Sequence, residues 1–297
     1  MKNHARRIIS FSRDYYPELV KLGRYNYNKA EKSLEEHIHH NRIEICYYDK
    51  GSQWFCVGGE RYLVKGGEAI LHFPGEVHGS GGFPEGKGRL YWLIIDLSEV
   101  SSQSNQENGN EIVYLCNELI RRNERHFTGT KEMKQILEEI FCVYRKSARN
   151  KLGVIRIRTL TKRFLLLLLD CIQRKHSVVD ERLTQVLQYI DKHISTPITI
   201  SVLADLCCLS ESRFKNLFRE QTGFTPGDYI QRKRIQRAIQ LLKQNPDITV
   251  SNVAYQFNFS SPQYLSSVVK KYTGLPPSIL KDRKGEFEQI TALGFAK

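Results

Sequence analysis

The 297-residue sequence has no long apolar segment, and this absence excludes a membrane-spanning helix of ordinary length. A span needs about 20 consecutive apolar residues, whereas the most apolar run, 164–169, is flanked by charged residues on both sides. The amino-terminal stretch MKNHARRIISF lacks the apolar segment and small-residue cleavage site of an export signal. We therefore expect a cytoplasmic protein with no membrane partner, in which 164–169 belongs to a buried helix.

The sequence also lacks the cysteine pattern of a disulfide framework or a zinc knuckle. Its seven cysteines are odd in number, and no two of them form a C-x-x-C pair. This usage is typical of a reducing cytosol. Cys207 and Cys208 lie within a helical pattern, and we interpret both as core packing.

The net charge of +13 is distributed unevenly along the chain. Residues 1–120 carry 14 basic and 16 acidic side chains, residues 121–179 carry 15 and 5, and residues 180–297 carry 16 and 11. A nearly neutral front half joined to a basic rear half favours a polyanionic partner for the rear half. A solvated basic surface would have the same composition, so charge leaves both interpretations open. The basic stretch 121–179 fits either an extended DNA footprint or the polar faces of packing helices.

The front part of the chain has the pattern of an all-β domain. Short apolar or alternating stretches such as IEICYY, WFCVGG, AILHF and RLYWLIID are separated by glycine-rich turns such as DKG and KGGE. Short strands at even spacing predict a barrel or a sandwich. The polar run 101–110 is typical of a loop or linker.

After residue 110 the apolar period changes to that of helices. We predict helices at 111–122, 131–149 and 155–173, and further helices after residue 180. The predicted fold is therefore α+β and multidomain. It comprises a β-barrel domain at 1–110, a helical connector or dimerisation region at 111–179, and an all-α domain at 180–297.

Two phrases in the last domain repeat one another. SESRFKNLFREQTGFTP (210–226) and SPQYLSSVVKKYTGLPP (261–277) share apolar spacing and a closing Thr-Gly. Each copy predicts a short helix, a tight turn and a second helix, which is capped by Ser210 or by Ser260 or Ser261 and ended by glycine. This plan is that of a helix-turn-helix, and 227–244 would be a strut between two such units. A plain helical bundle with an internal duplication is the alternative.

These motifs resemble the DNA-binding domain of the AraC/XylS family of bacterial transcription regulators. The matching segments are 203–223, 234–242 and 248–277, with Asn258 in place of a usual glycine. Residues 20–96 are similar to the family's cupin-like effector domain in HIHHNRIEICYYDKG and GGEAILHFPGEVH. The resemblance implies double-stranded promoter DNA, a small-molecule effector such as a sugar, RNA polymerase as a partner, and a homodimer.

Family alignment places the base-reading residues early in each second helix, on the side away from the core. Arginine can pair with guanine and asparagine with adenine, whereas lysine serves bases or phosphates. In the second unit Gln263 is the one long side chain that can form two hydrogen bonds with a base, so this unit would mainly contact the DNA backbone. A solvated surface side chain is the alternative for each position. The predicted DNA-binding residues are Ser212, Arg213, Lys215, Asn216, Arg219, Gln263, Ser266, Ser267, Lys270 and Lys271.

A histidine-rich pattern marks the predicted effector pocket. His37, His39, Glu44 and His78 have the spacing of a cupin metal site, in which three imidazoles and a carboxylate hold a divalent transition metal. The regulator family carries similar residues without a metal, so a plain pocket is the alternative. Aromatic side chains would stack on a sugar ring. The predicted ligand-binding residues are His37, His39, Glu44, Trp54, Tyr62, His78 and Trp92.

The function predicted from the sequence is a ligand-responsive, sequence-specific transcription regulator, an activator with no catalytic residues. One alternative is a metal-dependent cupin enzyme with an accessory helical domain. Another is a DNA-repair protein with a reactive cysteine, but no cysteine here lies in a suitable motif. The duplicated helix-turn-helix favours the regulator.

Overall fold

The computed structural model describes residues 5–98, 111–173, 181–245 and 247–282. The strands within these ranges are β1 (Arg6–Ser10), β2 (Leu19–Tyr27), β3 (His37–Ile38), β4 (Arg42–Val57), β5 (Glu60–Lys65), β6 (Glu68–His72), β7 (Val77–Gly79), β8 (Gly88–Asp96) and β9 (His126–Thr128). The helices are α1 (Glu111–Arg122), α2 (Lys131–Ser147), α3 (Lys151–Gln173), α4 (Glu181–Lys192), α5 (Ile200–Leu206), α6 (Glu211–Thr222), α7 (Pro226–Gln244), α8 (Val250–Gln256), α9 (Pro262–Thr273) and α10 (Pro277–Asp282).

One long strand, β4, joins the two sides of the barrel. Its first half pairs with β6 and β8, and its second half pairs with β5 and β7. The sequence predicted two strands here, separated by a turn at 49–51, and that prediction was wrong. The register shifts between Tyr48 and Lys50, and Gly51 has a φ of 91°. Because glycine adopts this conformation without strain, the strand bends and continues instead of reversing.

The two faces of the strands pack against different partners. Inside the barrel, Tyr25, Tyr48 and Trp92 belong to a core of aromatic and aliphatic side chains. The other face shares a single hydrophobic core with α1, α2 and α3, and β9 pairs with β6. Residues 111–173 therefore pack as part of the first domain. The amphipathic helices of the predicted connector or dimerisation region cover the apolar outer face of the sheet.

The helices after residue 180 enclose a core of their own, made of residues from Leu183 to Leu280. The predicted caps are confirmed at Ser210 and Ser261, whose hydroxyls accept hydrogen bonds from the backbone N–H of the third residue of α6 and of α9. Gly223 and Gly274 end these helices with φ of 75° and 79°. The pattern thus builds two helix-turn-helix units, α5–α6 and α8–α9, joined by α7.

The tight turn of each unit contains a residue in the left-handed conformation. Asn258 has a φ of 56°, as expected for the residue that replaces glycine, and Cys208 has a φ of 54° at the equivalent place. Cys207 is buried in the core, as predicted. Cys208 is exposed. Its interpretation as core packing was wrong, because the left-handed turn swings its side chain away from the helix face.

The run 164–169 lies in α3, where Phe164, Leu165, Leu168 and Leu169 are buried. No helix among the described residues has the length and apolar character that crossing a membrane requires.

Candidate functional sites

Four predicted ligand residues converge inside one end of the barrel. Pairing of β3 with β7 places His37 opposite His78, His39 follows β3, and Glu44 comes from β4. The Nε2 atoms of His37, His39 and His78 lie 3.7, 3.5 and 3.0 Å from Glu44 Oε2. All candidate ligand atoms lie within 4.8 Å of one another, so the structure assembles the predicted set.

Backbone carbonyls orient two of these imidazoles. His37 Nδ1 lies 3.0 Å from the Glu35 carbonyl oxygen, and His78 Nδ1 lies 2.9 Å from that of Glu76. With a proton on Nδ1 donated to the carbonyl, Nε2 would be free to ligate a metal that lies between the rings and Glu44, as in metal-ligating histidines. A protonated Nε2 would instead donate to Glu44. The buried Nε2 of His39 has no hydrogen-bond partner among the described residues. The donor set therefore fits a divalent transition metal.

The electrostatics of the cluster favour an ionised carboxylate. Burial alone would raise the pKa of Glu44, but the imidazoles of His37, His39 and His78 outweigh it and hold the pKa well below its usual range. The hydrogen bond to Glu44 raises the pKa of His37, against the opposing effect of partial burial. The ionised Glu44 carboxylate could therefore ligate a metal, or it could accept a hydrogen bond from an effector.

A fourth histidine, His72, adjoins the cluster and was missed in the sequence. Its ring stacks on that of His78, with centroids 4.2 Å apart and planes 3° from parallel. Burial lowers the pKa of His72 to about 3, so it is neutral at physiological pH. Neither ring nitrogen has a hydrogen-bond partner within the described residues. Strand pairing places His72 directly opposite Glu44, and strand alternation in AILHF could have revealed this.

The predicted aromatic residues do not form one open stacking surface. Trp54 stacks on Phe83 at 5.5 Å, on the face of β4 opposite to the interior residue Phe55. The structure therefore places Trp54 outside the barrel interior, because the register shift between Tyr48 and Lys50 changes the alternation of β4. Trp92 does face the interior, but it is only 7% exposed. Tyr62 is half-buried and donates a hydrogen bond to Glu60.

The predicted DNA-binding residues lie mostly on one exposed side of α6 and α9. Phe214, Phe218, Leu265 and Val269 are buried beneath them. Ser266 is half-buried, and Lys215 pairs with Glu211 on the same helix at 2.9 Å. The exposed members are Ser212, Arg213, Lys215, Asn216, Gln263, Ser267, Lys270 and Lys271.

Arg219 departs from this surface, because it is bound to the barrel. Its guanidinium lies 3.3 Å from both the backbone carbonyl and a carboxylate oxygen of Asp49. In this arrangement the guanidinium is paired with a carboxylate of the barrel, and its role in DNA binding stays a prediction. The sequence offered no local signal for this pairing, since the two residues are 170 positions apart.

Further contacts join the barrel to both helix-turn-helix units. The backbones approach each other at Gly66 and Gly223, where a Cβ on either residue would lie about 2.5 Å from the other's carbonyl oxygen. The buried Arg232 of α7 donates to Ser52 Oγ at 3.2 Å. The Ala30 N–H donates to the Lys271 carbonyl at 2.8 Å. The domains are therefore docked by polar contacts on three separate elements.

Comparison with protein families assigns both domains. A protein-family model described as an AraC-like ligand binding domain matches residues 24–150. A second family model, described as a helix-turn-helix domain, matches residues 203–283. Together the matches span more than half of the chain. The chain belongs to the AraC/XylS family. It is a transcription regulator with an effector-binding domain and a DNA-binding domain, and the alternative of a cupin enzyme has no support among its relatives.

Curated relatives of this AraC/XylS chain are transcription regulators. The probable transcriptional regulator LumQ of Photobacterium leiognathi is 36% identical over 33% of this chain and only 40% of its own length. The arabinose operon regulatory protein of Salmonella typhimurium is 25% identical over 74% of this chain and 76% of that protein. The HTH-type transcriptional activator RhaS of Enterobacter sp. is 21% identical over 87% of this chain and 91% of that protein.

Proposed function

We propose that this AraC/XylS regulator is a cytoplasmic, non-catalytic activator that responds to a small carbohydrate-like metabolite. The observation that supports DNA reading is the pair of capped helices α6 and α9 on one rigid strut. The names of two relatives, an arabinose operon regulator and a transcriptional activator, support the effector class and the sign of regulation. RNA polymerase would be the partner that receives the activating contact.

We expect α6 and α9 to enter two adjacent major-groove segments on one face of promoter DNA, about one helical turn (~34 Å) apart. The separate core of residues 183–280 allows the experiment to use both the full chain and a fragment that starts near residue 180. Footprinting should show two protected segments. Lys270→Ala should weaken binding to all sequences alike and lower the salt dependence by about one phosphate contact. A single protected segment would contradict the two-helix arrangement.

We place the carbohydrate effector at the cluster of His37, His39, Glu44 and His78. Imidazole nitrogens and a charged carboxylate are hydrogen-bond partners for sugar hydroxyls. Among the described residues, neither ring nitrogen of His72 has a hydrogen-bond partner, and Nε2 of His39 has only its 3.5 Å ion-pair contact with Glu44. Both observations support a polar occupant, since buried polar groups are usually hydrogen-bonded.

A divalent transition metal held by the same four residues is the second candidate occupant. The carbonyl-anchored Nδ1 atoms of His37 and His78 favour it. Bound there, the metal would supply a Lewis-acidic centre to which an oxygen of the effector could bind.

Elemental analysis and ligand titration distinguish the two occupants. Metal at one per chain that is lost in His39→Ala supports the metal site. No metal, together with binding of a monosaccharide such as arabinose that is lost in His39→Ala, supports the plain pocket. Sugar binding that persists in both His39→Ala and His78→Ala would place the effector elsewhere.

We further propose that the chain forms a homodimer through α1 and α3. Tyr114 on α1 and Leu152, Ile155 and Leu166 on α3 are at least half exposed, although they are apolar. Exposed apolar stripes of this kind favour an interface. Sedimentation should give a dimer at micromolar concentration, and Leu166→Lys should shift it toward monomer. A wild-type monomer would contradict the proposal.

A further inference from the structure

The cleft between the barrel and the helix-turn-helix domain is a cavity that the effector proposal does not use. Its volume is about 370 Å³. Its walls come from the end of β2, the bend of β4 and the start of β8 on one side, and from α6, α7 and their connecting turn on the other. Polar or charged side chains at its lining include Asn26, Asn28, Lys50, Lys87, Arg219 and Asp228.

Cationic side chains outnumber carboxylates around this cleft. Asp49 pairs with Arg89, Lys134 and Arg219 at 3.3 to 3.4 Å. On the opposite side of the cavity, Asp228 pairs with Lys87 and Arg232. Of these residues, Lys87, Arg219 and Asp228 line the cavity together with Lys50, so three cations and one carboxylate face it.

Lys50 is an exposed side chain at the edge of this cleft. It lines the cavity, yet it makes no ion pair with any residue in the described ranges. Partial burial, followed by the charges of Arg89 and Arg219, lowers the pKa of Lys50. Like charges gathered in a partly desolvated cleft repel one another, and a bound anion would relieve this repulsion.

We propose that this cleft binds a small polar dianion, a phosphate- or dicarboxylate-bearing molecule held between Lys50 and Arg219. Lys50 belongs to the barrel and Arg219 to α6, so the dianion would bridge the two domains. Asn26 and Asn28 would donate hydrogen bonds to its neutral part. The site is separate from the histidine cluster, and its occupancy can be measured without DNA or the barrel effector.

The test uses inorganic phosphate as the probe, titrated into the full chain at constant ionic strength and followed by ³¹P NMR. Lys50→Gln should weaken phosphate binding about tenfold, as expected for the loss of one charge-assisted contact. Because Lys50 has no ion pair to lose, the variant should keep its melting temperature in the phosphate-free buffer. Lys270→Gln is the matched control, since it removes a cation from the exposed DNA-binding side.

The outcomes separate the cleft from other anion sites. Binding that weakens in Lys50→Gln and persists in Lys270→Gln supports the proposal. Binding that is unchanged in Lys50→Gln, or that is lost only in Lys270→Gln, overturns it, as does the absence of any phosphate binding at millimolar concentration. Competition by succinate against glucose 6-phosphate then shows whether the cleft prefers a dicarboxylate or a phosphate group.

Discussion

The two helix-turn-helix units, α5–α6 and α8–α9, have the same internal architecture and different surroundings. Each has a serine cap, a left-handed residue in the turn and a closing glycine. The first unit, however, is pressed against the barrel through Gly223 and Arg219. The second closes on Gly274, where an added Cβ would meet nothing within 4 Å. The two copies therefore share the residues that begin, turn and end their helices. Their positions in the fold determine which copy also packs closely against the barrel.

The largest expected difference between the units is in their closing glycines. Gly274→Ala should lower the free energy of unfolding by about 1–2 kcal/mol, because alanine disfavours the left-handed conformation. Gly223→Ala should lower it by about 2–5 kcal/mol, since overpacking against Gly66 adds to the same strain. Urea unfolding of the full-length variants measures both losses.

Gly223→Ala can also relieve its clash by parting the two domains. Small-angle scattering would then report a larger radius of gyration for this variant, whereas Gly274→Ala would keep the wild-type value. Equal losses of stability together with equal radii would show that the contact at Gly66 contributes nothing to docking.

A smaller difference is expected in base reading. Arg213→Ala should cost about 1–3 kcal/mol in DNA binding and relax the preference at one base pair, because arginine contacts guanine through two hydrogen bonds. Gln263→Ala should cost less, since α9 offers one long amide among short serine side chains. Competition binding on randomised operators measures both effects.

Lys215→Ala is the charge control on the same helix, because a lysine contacts DNA as a point charge and its ion pair with Glu211 is solvent-exposed, so the variant should weaken binding to all sequences alike. It should leave the base preference unchanged. A Gln263→Ala loss that exceeds that of Arg213→Ala would reverse the assignment of the first unit as the main reader.

The smallest difference is expected at the caps. Ser210→Ala and Ser261→Ala should each lower the free energy of unfolding by about 1 kcal/mol, because each hydroxyl accepts one helix N–H. The double variant should be additive, as the two caps lie in separate units. Glycine at either position should cost only a few tenths of a kcal/mol. Strong non-additivity in urea unfolding would contradict the independence of the two units.

Structural features that depend on only a few neighbouring residues could be predicted from the sequence. The capping serines, the closing glycines and Asn258 obey rules that depend on the backbone within one turn, and all are confirmed. The spacing of the histidines predicted a shared site because strand pairing brings β3, β4 and β7 together in this type of barrel. α1 was predicted with its observed ends, and α2 and α3 within four residues of theirs.

Signals that depend on tertiary contact were not readable. A glycine in DKG is compatible with a turn or a bend, and the pairing of β4 with β8 up to Gly51 selects the bend. The position of Trp54 then follows from that bend. The pairing of Arg219 with Asp49 joins two domains, and nothing near either residue in the chain indicates the other.

The docked barrel also determines how the two recognition helices are spaced. Strut α7 joins the units, while the barrel contacts the first unit at Gly223 and the second at Lys271. Each of the barrel and the two units is thus held against the other two, which constrains the distance between the units. Two units joined by α7 alone could still rotate relative to one another. We therefore expect the docked protein to hold α6 and α9 at a fixed separation when it binds DNA. Loss of the barrel contact at Gly223 or at Lys271 would allow the two units to bind DNA segments at a wider range of separations.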